Sequence, residues 1–196
     1  LLYHNRSGYT SHLNREDQTL AQQNIFLTYG EILPEGLRKL FEFVKPGPDD
    51  AFVDLGSGVG KAVIQSYLAT EMTASYGVEI DRARNNIALD ALKELKNSVP
   101  AFFLDKSKII ELYETNIIDF DFNQVSIIFC NATCFGPNLM GIVCDKVNNS
   151  PSVRAVMSTS RIQGLTNLTQ EDTVGIEVSW HQPPSTSPCY VYTLPE

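Results

Sequence analysis

Seven residues, Asp54-Leu55-Gly56-Ser57-Gly58-Val59-Gly60, limit what this chain can fold into more than any other stretch of it. They follow Ala51-Phe52-Val53, a short apolar run that reads as a buried strand ending on a carboxylate and entering a tight turn. Glycine at alternate positions permits positive φ and close approach of backbone to a ligand. From Lys61 onward, Val63, Ile64, Tyr67 and Leu68 take up helical spacing, so a helix opens on the turn with its free N–H groups facing it. Strand, glycine turn and helix in that order form the ligand-binding corner of an open α/β sheet, at the carboxyl end of its first strand.

The flanking patterns extend this unit in both directions. Leu37, Leu40, Phe41 and Val44 recur at i, i+3, i+4 and i+7, one face of a helix that Pro46 and Pro48 terminate. Ala74 to Val78 reads as a second strand, and Ala88, Ala91, Leu92 and Leu95 as a second crossover helix ending before Pro100. Ile109 to Tyr113, Val125 to Cys130 and Ala155 to Met157 are further apolar runs, and this alternation predicts a parallel α/β sheet. Near the end, Val174, Ile176, Val178 and Trp180 alternate with polar residues; a Pro/Ser loop over 182–188 follows, and Tyr190, Tyr192 and Leu194 alternate again. This predicts an antiparallel hairpin on the sheet edge. Five parallel strands closed by a hairpin, with helices on both faces, are the outline of a class I (Rossmann-like) methyltransferase fold. Residues 1–48 then form a lead-in, a loop covering the ligand and a helix, and 49–196 form the core.

Composition agrees with one folded domain: 196 residues with 43% hydrophobic and 19% charged side chains exclude a disordered or coiled-coil chain. A formal charge of −8 excludes a broad DNA-gripping surface. Lys93, Lys96, Lys106 and Lys108 form a local basic cluster that offers weak DNA contact at most, a solvated helix face being the competing account. The chain opens on Leu1 without a charged-then-apolar leader, so it reads as an excised domain without a secretory signal. No apolar run approaches the roughly 18 residues of a membrane helix, and no membrane partner is expected. Cys130, Cys134, Cys144 and Cys189 form no C-x-x-C pair, so free thiols are expected and no metal site.

The acids around the turn select the ligand. The dinucleotide fingerprint G-x-G-x-x-G places its third glycine one residue later than the G-x-G-x-G found here. A carboxylate such as Asp54 in the turn repels a pyrophosphate. S-adenosyl-L-methionine carries no phosphate, and its ammonium and sulfonium groups favour a nearby negative charge. Glu79, ending Tyr76-Gly77-Val78-Glu79, is placed to accept hydrogen bonds from ribose hydroxyls, each worth ~1.5–3 kcal/mol for a charged acceptor. The competing account makes the glycines a plain tight turn with solvated acids. Asn131 ends the fourth strand, where a neutral amide can accept a hydrogen bond from an incoming amine; a strand-to-helix turn capped by Asn, with Pro137 starting the next helix, accounts for it equally.

Thr28-Tyr29-Gly30-Glu31, Phe52 to Gly60, Tyr76 to Glu79, Asn131-Ala132-Thr133-Cys134-Phe135-Gly136-Pro137 and Val178-Ser179-Trp180 together resemble the Dot1-type (disruptor of telomeric silencing) non-SET histone H3 lysine methyltransferases. The resemblance implies a nuclear enzyme, expected as a monomer, that methylates a lysine on the globular face of histone H3 in the nucleosome and releases S-adenosyl-L-homocysteine. It implies that Tyr29 and the loop around it, with Thr28 and Glu31, cover the donor and form part of the lysine channel. It assigns Asp54, Gly56 and Gly58 to the methionine portion, Glu79 to the ribose, and Asn116 and Ile117 to the adenine. Asn131 stands beside the methyl, Phe135 supports the pocket and Trp180 lines the lysine entrance.

Four departures from the family pattern bear on these roles. Lys61 replaces the usual Gln and is expected to pair with the donor's carboxylate. Asn116-Ile117 replace an Asp-Phe pair, removing an acid acceptor and an aromatic stack. The Asn131 to Phe135 segment loses a second Asn and an aromatic. Cys189-Tyr190 replace adjacent tyrosines, which leaves both Cys189 and Tyr190 as candidates for the channel position. Two other functions fit the same residues: a methyltransferase of this fold acting on a non-histone protein or small amine, and a non-catalytic module that binds the donor. A nicotinamide-dependent dehydrogenase is the rival chemistry.

Overall fold

The computed structural model describes residues 2, 3, 8, 30–181 and 185–195. Thr28 and Tyr29, both expected over the ligand, lie outside the described residues, as do 182–184 of the Pro/Ser loop. Helix α1 (Pro34–Val44) precedes strand β1 (Ala51–Leu55), and α2 (Lys61–Ala69), β2 (Ala74–Glu79) and α3 (Arg82–Ser98) follow. Then come β3 (Ile109–Glu114), β4 (Ile127–Cys130), α4 (Pro137–Asn148), β5 (Ala155–Ser158), β6 (Thr169–Ile176) and β7 (Ser187–Thr193). The sheet order is β3-β2-β1-β4-β5-β7-β6, with β1 to β5 parallel and β6 and β7 antiparallel. This is the parallel sheet with a closing hairpin that the spacing predicts.

Side chains of alternating parity fill the two faces. Val53, Leu55, Val78, Ile128, Cys130 and Val156 pack toward α4 through Val143 and Val147. Phe52, Ile127, Phe129, Met157 and Val191 pack toward α1 through Leu37, Leu40 and Phe41, and the Phe41 and Phe52 rings meet edge to face at 5.5 Å. Each such side chain, fully removed from water, stabilises the fold by about 1.5–3 kcal/mol. Helix α1 starts with Pro34 in its first turn, and Lys45 closes it in the left-handed conformation with its N–H on the carbonyl of Phe41. Helix α3 is capped by Asp81, whose carboxylate accepts from the N–H groups of Ala83 and Arg84.

One strand differs from expectation. The alternation through Val178 and Trp180 predicts that the penultimate strand continues there, but β6 ends at Ile176. Val178 instead forms an isolated antiparallel bridge with Ile32, and the Leu33 N–H donates to the carbonyl of Glu177. The segment entering α1 therefore runs beside the residues that leave β6. Order reverses between β1 and β4, one neighbour having its crossover helix on each face, and that switch point opens the crevice described next.

Candidate active site

A cavity of about 750 Å³ lies at the carboxyl ends of β1, β2 and β4. Its floor is the glycine turn. The N–H groups of Gly56 and Ser57 both donate to the carbonyl of Val78, at 2.8 and 3.0 Å, and Gly60 donates to Ser57. Gly56 has φ +83°, and a Cβ there would stand 3.5 Å from the Phe135 ring, so that ring packs on bare backbone. Gly60, at φ +78°, passes so close to α3 that a Cβ would reach the Ala88 methyl at 3.0 Å. Both positions need glycine for conformation and for approach.

Glu79 joins this turn to β2. Its Oε2 accepts from the N–H of Gly58 at 2.7 Å and its Oε1 from the N–H of Asp81 at 2.8 Å. It is 5% exposed, and burial raises its carboxyl's pKa against the lowering effect of those two N–H groups. Asp54 is also 5% exposed and walls the same cavity, yet no side-chain hydrogen bond partners its carboxyl among the described residues. Burial, with the neighbouring Glu79 charge, pushes it up to about 8. The Ser57 hydroxyl is buried and unpartnered as well. Orphaned groups of this kind are what a cationic, hydrogen-bonding ligand completes.

Asn131, just past β4, is held on three sides. Its Nδ2 donates to the Gly30 carbonyl at 2.9 Å, and its Oδ1 accepts from Thr159 Oγ1 at 3.0 Å and Thr133 Oγ1 at 3.2 Å. The amide oxygen expected to receive an amine already accepts two hydroxyl hydrogen bonds. Gly30 and Glu31 form the opposite wall, with Glu31 N–H on Ser179 Oγ at 2.9 Å. Lys61 Nζ lies 2.7 Å from Glu31 Oε2 and 5.1 Å from the centre of the Tyr3 ring. Lys61, expected to pair with the donor's carboxylate, lines the cavity and carries this side-chain ion pair across its wall.

Asn116 and Ile117 both wall the cavity, and Asn116 Oδ1 is engaged by the N–H of Ile118 at 3.1 Å. The missing aromatic is replaced by Ile80, Ile117, Ile118, Leu139 and Ile142, an aliphatic lining. Trp180 and Tyr190 do not line the cavity. Trp180 packs on Gly30, where a Cβ would meet its ring at 2.5 Å, and the Tyr190 ring lies under the Arg161 guanidinium at 5.0 Å. Cys189 is buried in the α1 face of the core and is not among the residues that line the cavity.

Sequence reasoning missed Arg84, a buried cavity residue whose Nε donates to the Gly8 carbonyl at 3.1 Å and lies 3.6 Å from Asp81. Its signal was the Asp81-x-x-Arg84 spacing at the start of α3. The basic cluster is divided: Lys108 Nζ donates to the carbonyls of Tyr67 and Thr70, while Lys96 stands over the Phe103 ring at 5.7 Å. Among the described residues no His, Cys, Asp and Glu group could hold a metal ion, and no helix is long and apolar enough to cross a membrane.

Comparison with solved structures shows the fold. The chain is similar to an RNA methyltransferase of Salinibacter ruber in complex with S-adenosyl-L-homocysteine (TM-score 0.51, 16% identity, 82% of this chain and 90% of that one). It is also similar to M. capricolum TrmK bound to the same compound (TM-score 0.57, 12% identity, 85% and 70%). Among curated proteins, "Histone-lysine N-methyltransferase, H3 lysine-79 specific" of Caenorhabditis elegans is 28% identical over 174 residues, 78% of this chain and 18% of that protein. The protein of the same description in Dictyostelium discoideum is 31% identical over 116 residues, 57% of this chain and 6% of its own length. The chain thus spans less than a fifth of these relatives. The model of one family, described as "Histone methylation protein DOT1", matches residues 9–181, a range that takes in every strand end around the cavity, and the chain belongs to that family.

Proposed function

We propose that this chain transfers methyl from S-adenosyl-L-methionine to a lysine on the globular face of histone H3 within the nucleosome, in the nucleus. One observation carries the choice of donor. Asp54 and Glu79 are two buried carboxyls at adjacent strand ends around a glycine turn, and among the described residues Asp54 has no hydrogen-bond partner of its own. Such a floor, once its carboxyls are ionised, repels phosphate and suits a ligand bearing an ammonium and a sulfonium. The residues present fit that ligand: Asp54, Gly56 and Gly58 hold the methionine portion, Glu79 the ribose, and Asn116, Ile117 and the surrounding isoleucines the adenine.

Bound there, the donor supplies an electrophilic methyl on a positively charged sulfur. What the chain must add is a neutral lysine amine in line with it. Lysine is almost wholly protonated at neutral pH, with a reference pKa of about 10.4. Asn131 is neutral and already engaged, so no carboxylate at the end of β4 takes the proton. A channel walled by Phe135, Ile32 and the Gly30 backbone favours the uncharged amine by desolvation. Positioning supplies the rest, since an error of ~1 Å can cost 10²-fold. Lys61 holds Glu31, and through it the wall against which Trp180 packs.

The names of the curated relatives support histone H3 as substrate, and the acidic chain suits a basic histone face better than DNA. The test is transfer of labelled methyl from the donor to nucleosomes, to free histones and to small amines. Label on histone H3 in nucleosomes supports the reading. Label on small amines alone replaces the substrate, and donor binding without transfer leaves a binding module.

A further inference from the structure

Asn131 joins two walls of the cavity that are far apart in sequence, the end of β4 and the Gly30–Glu31 segment. The orientation of its amide is determined by its neighbours. The Gly30 carbonyl can only accept, so the NH2 group must face it, at 2.9 Å. The oxygen is then turned toward two hydroxyls, which rotate to donate. Thr133 is one of them; it is exposed, two residues away and the longer contact at 3.2 Å. Thr159 is the other, at 3.0 Å, and it comes from a third element.

Thr159 is fixed independently of Asn131. It follows β5 directly, and its N–H donates to the carbonyl of Cys130 at 3.2 Å, the last residue of β4. Its neighbour Ser160 donates through Oγ to the carbonyl of Ala132 at 3.2 Å. Two hydroxyls at the end of β5 thus hold the two residues that follow β4. Thr159 is not among the residues that wall the cavity, so its hydroxyl reaches the site through the Asn131 amide.

We infer that Thr159 is a positioning residue for the transfer reaction: its hydroxyl locks the Asn131 amide, and the locked amide holds the Gly30 wall at the distance the reaction needs. This rests on the methyltransferase reading above. Among the described residues, removing the hydroxyl leaves Thr133 as the only donor to Oδ1. The amide is then held less firmly, and the Gly30 carbonyl loses its partner for part of the time. The floor of the cavity, made by Asp54 and Glu79, is untouched.

The test compares Thr159→Val, which keeps the shape and loses the hydroxyl, with Thr159→Ser, which keeps the hydroxyl. In the 196-residue chain, Thr159→Val is expected to lower kcat for methyl transfer about tenfold, with donor affinity by calorimetry within about twofold of wild type. Amide hydrogen exchange over residues 30–33 is expected to quicken in the same variant. Thr159→Ser is expected to restore both. The inference is overturned if Thr159→Val matches wild type in kcat and exchange. It is equally overturned if Ser fails to rescue, or if donor affinity falls in step with kcat. Should the wild-type chain transfer methyl to nothing, the functional reading fails and the exchange comparison alone decides whether Thr159 holds the wall.

Discussion

The backbone N–H of Gly58 donates to Glu79 Oε2 at 2.7 Å, which makes one carboxylate both a strut of the glycine turn and a candidate ligand contact. Glu79→Ala therefore removes two things at once. Donor binding is expected to weaken more than tenfold, in line with a charge-assisted bond of ~1.5–3 kcal/mol, and the melting temperature is expected to fall. Glu79→Gln retains one acceptor but sets an NH2 group against a backbone N–H, so it should fall between the two. Calorimetric titration beside thermal unfolding checks this; unchanged donor affinity in Glu79→Ala would defeat the ribose assignment.

Asp54 predicts a pH dependence. Its carboxyl is raised from 3.8 to about 8, so it is mostly protonated at neutral pH, and a cationic ligand must displace that proton. Donor affinity is expected to rise with pH, by up to about tenfold per unit, and to level off above about pH 8. Stability runs the other way. Between the unfolded pKa and the folded one, the native state binds the extra proton, so stability declines as pH rises by at most ~1.4 kcal/mol per unit. Asp54→Asn should abolish both trends, while weakening donor binding at high pH. A flat affinity profile in the wild-type chain would remove Asp54 from the ligand's charged end.

The only tryptophan gives the Gly30 wall an optical signal. A Cβ at Gly30 would stand 2.5 Å from Trp180 Cε3, closer than side chains approach, so Gly30→Ala must displace the ring or the segment. The expected result is a shifted tryptophan emission and a loss of turnover of at least tenfold, with cooperative unfolding of the core retained. Emission identical to wild type would mean that the ring does not pack there.

At the opposite end of the sheet, Arg154 donates to both oxygens of Asp50, at 2.7 and 2.6 Å, and Ser126 Oγ and the Gly47 N–H add two more bonds. Burial opposes the charge, but these donors outweigh it and hold the Asp50 carboxyl down at about 2. That stabilisation is complete above the unfolded value of 3.8 and is lost as pH falls toward about 2. Asp50→Asn is expected to cost about 2 kcal/mol at neutral pH and much less in acid. Urea midpoints measured at the two conditions give the comparison.

What could be read from the sequence was whatever depends on near neighbours. The spacing of Leu37, Leu40, Phe41 and Val44 gave α1, and Ala51 to Gly60 gave the first strand and its turn, because apolar periodicity and glycine conformation are local properties. The acids of the cavity floor were legible for the same reason, since each lies at or one residue before the end of its strand. The partners of Asn131 and Lys61 were not. Gly30 is 101 positions from Asn131 and Glu31 is 30 from Lys61, and no local pattern announces either pairing. Likewise, the alternation through Trp180 predicted more strand than forms, because Val178 leaves the β6 ladder to meet Ile32.

That bridge sets an order of events during synthesis. Glu31 and Ser179 are hydrogen-bonded although 148 positions separate them, so the Gly30 wall cannot close until Ser179 has left the ribosome. The glycine turn, β2 and β4 can assemble earlier from contiguous segments. A nascent chain stalled before Glu177 would lack the Glu177 carbonyl, the Val178 bridge and the Ser179 hydroxyl that hold that wall in place.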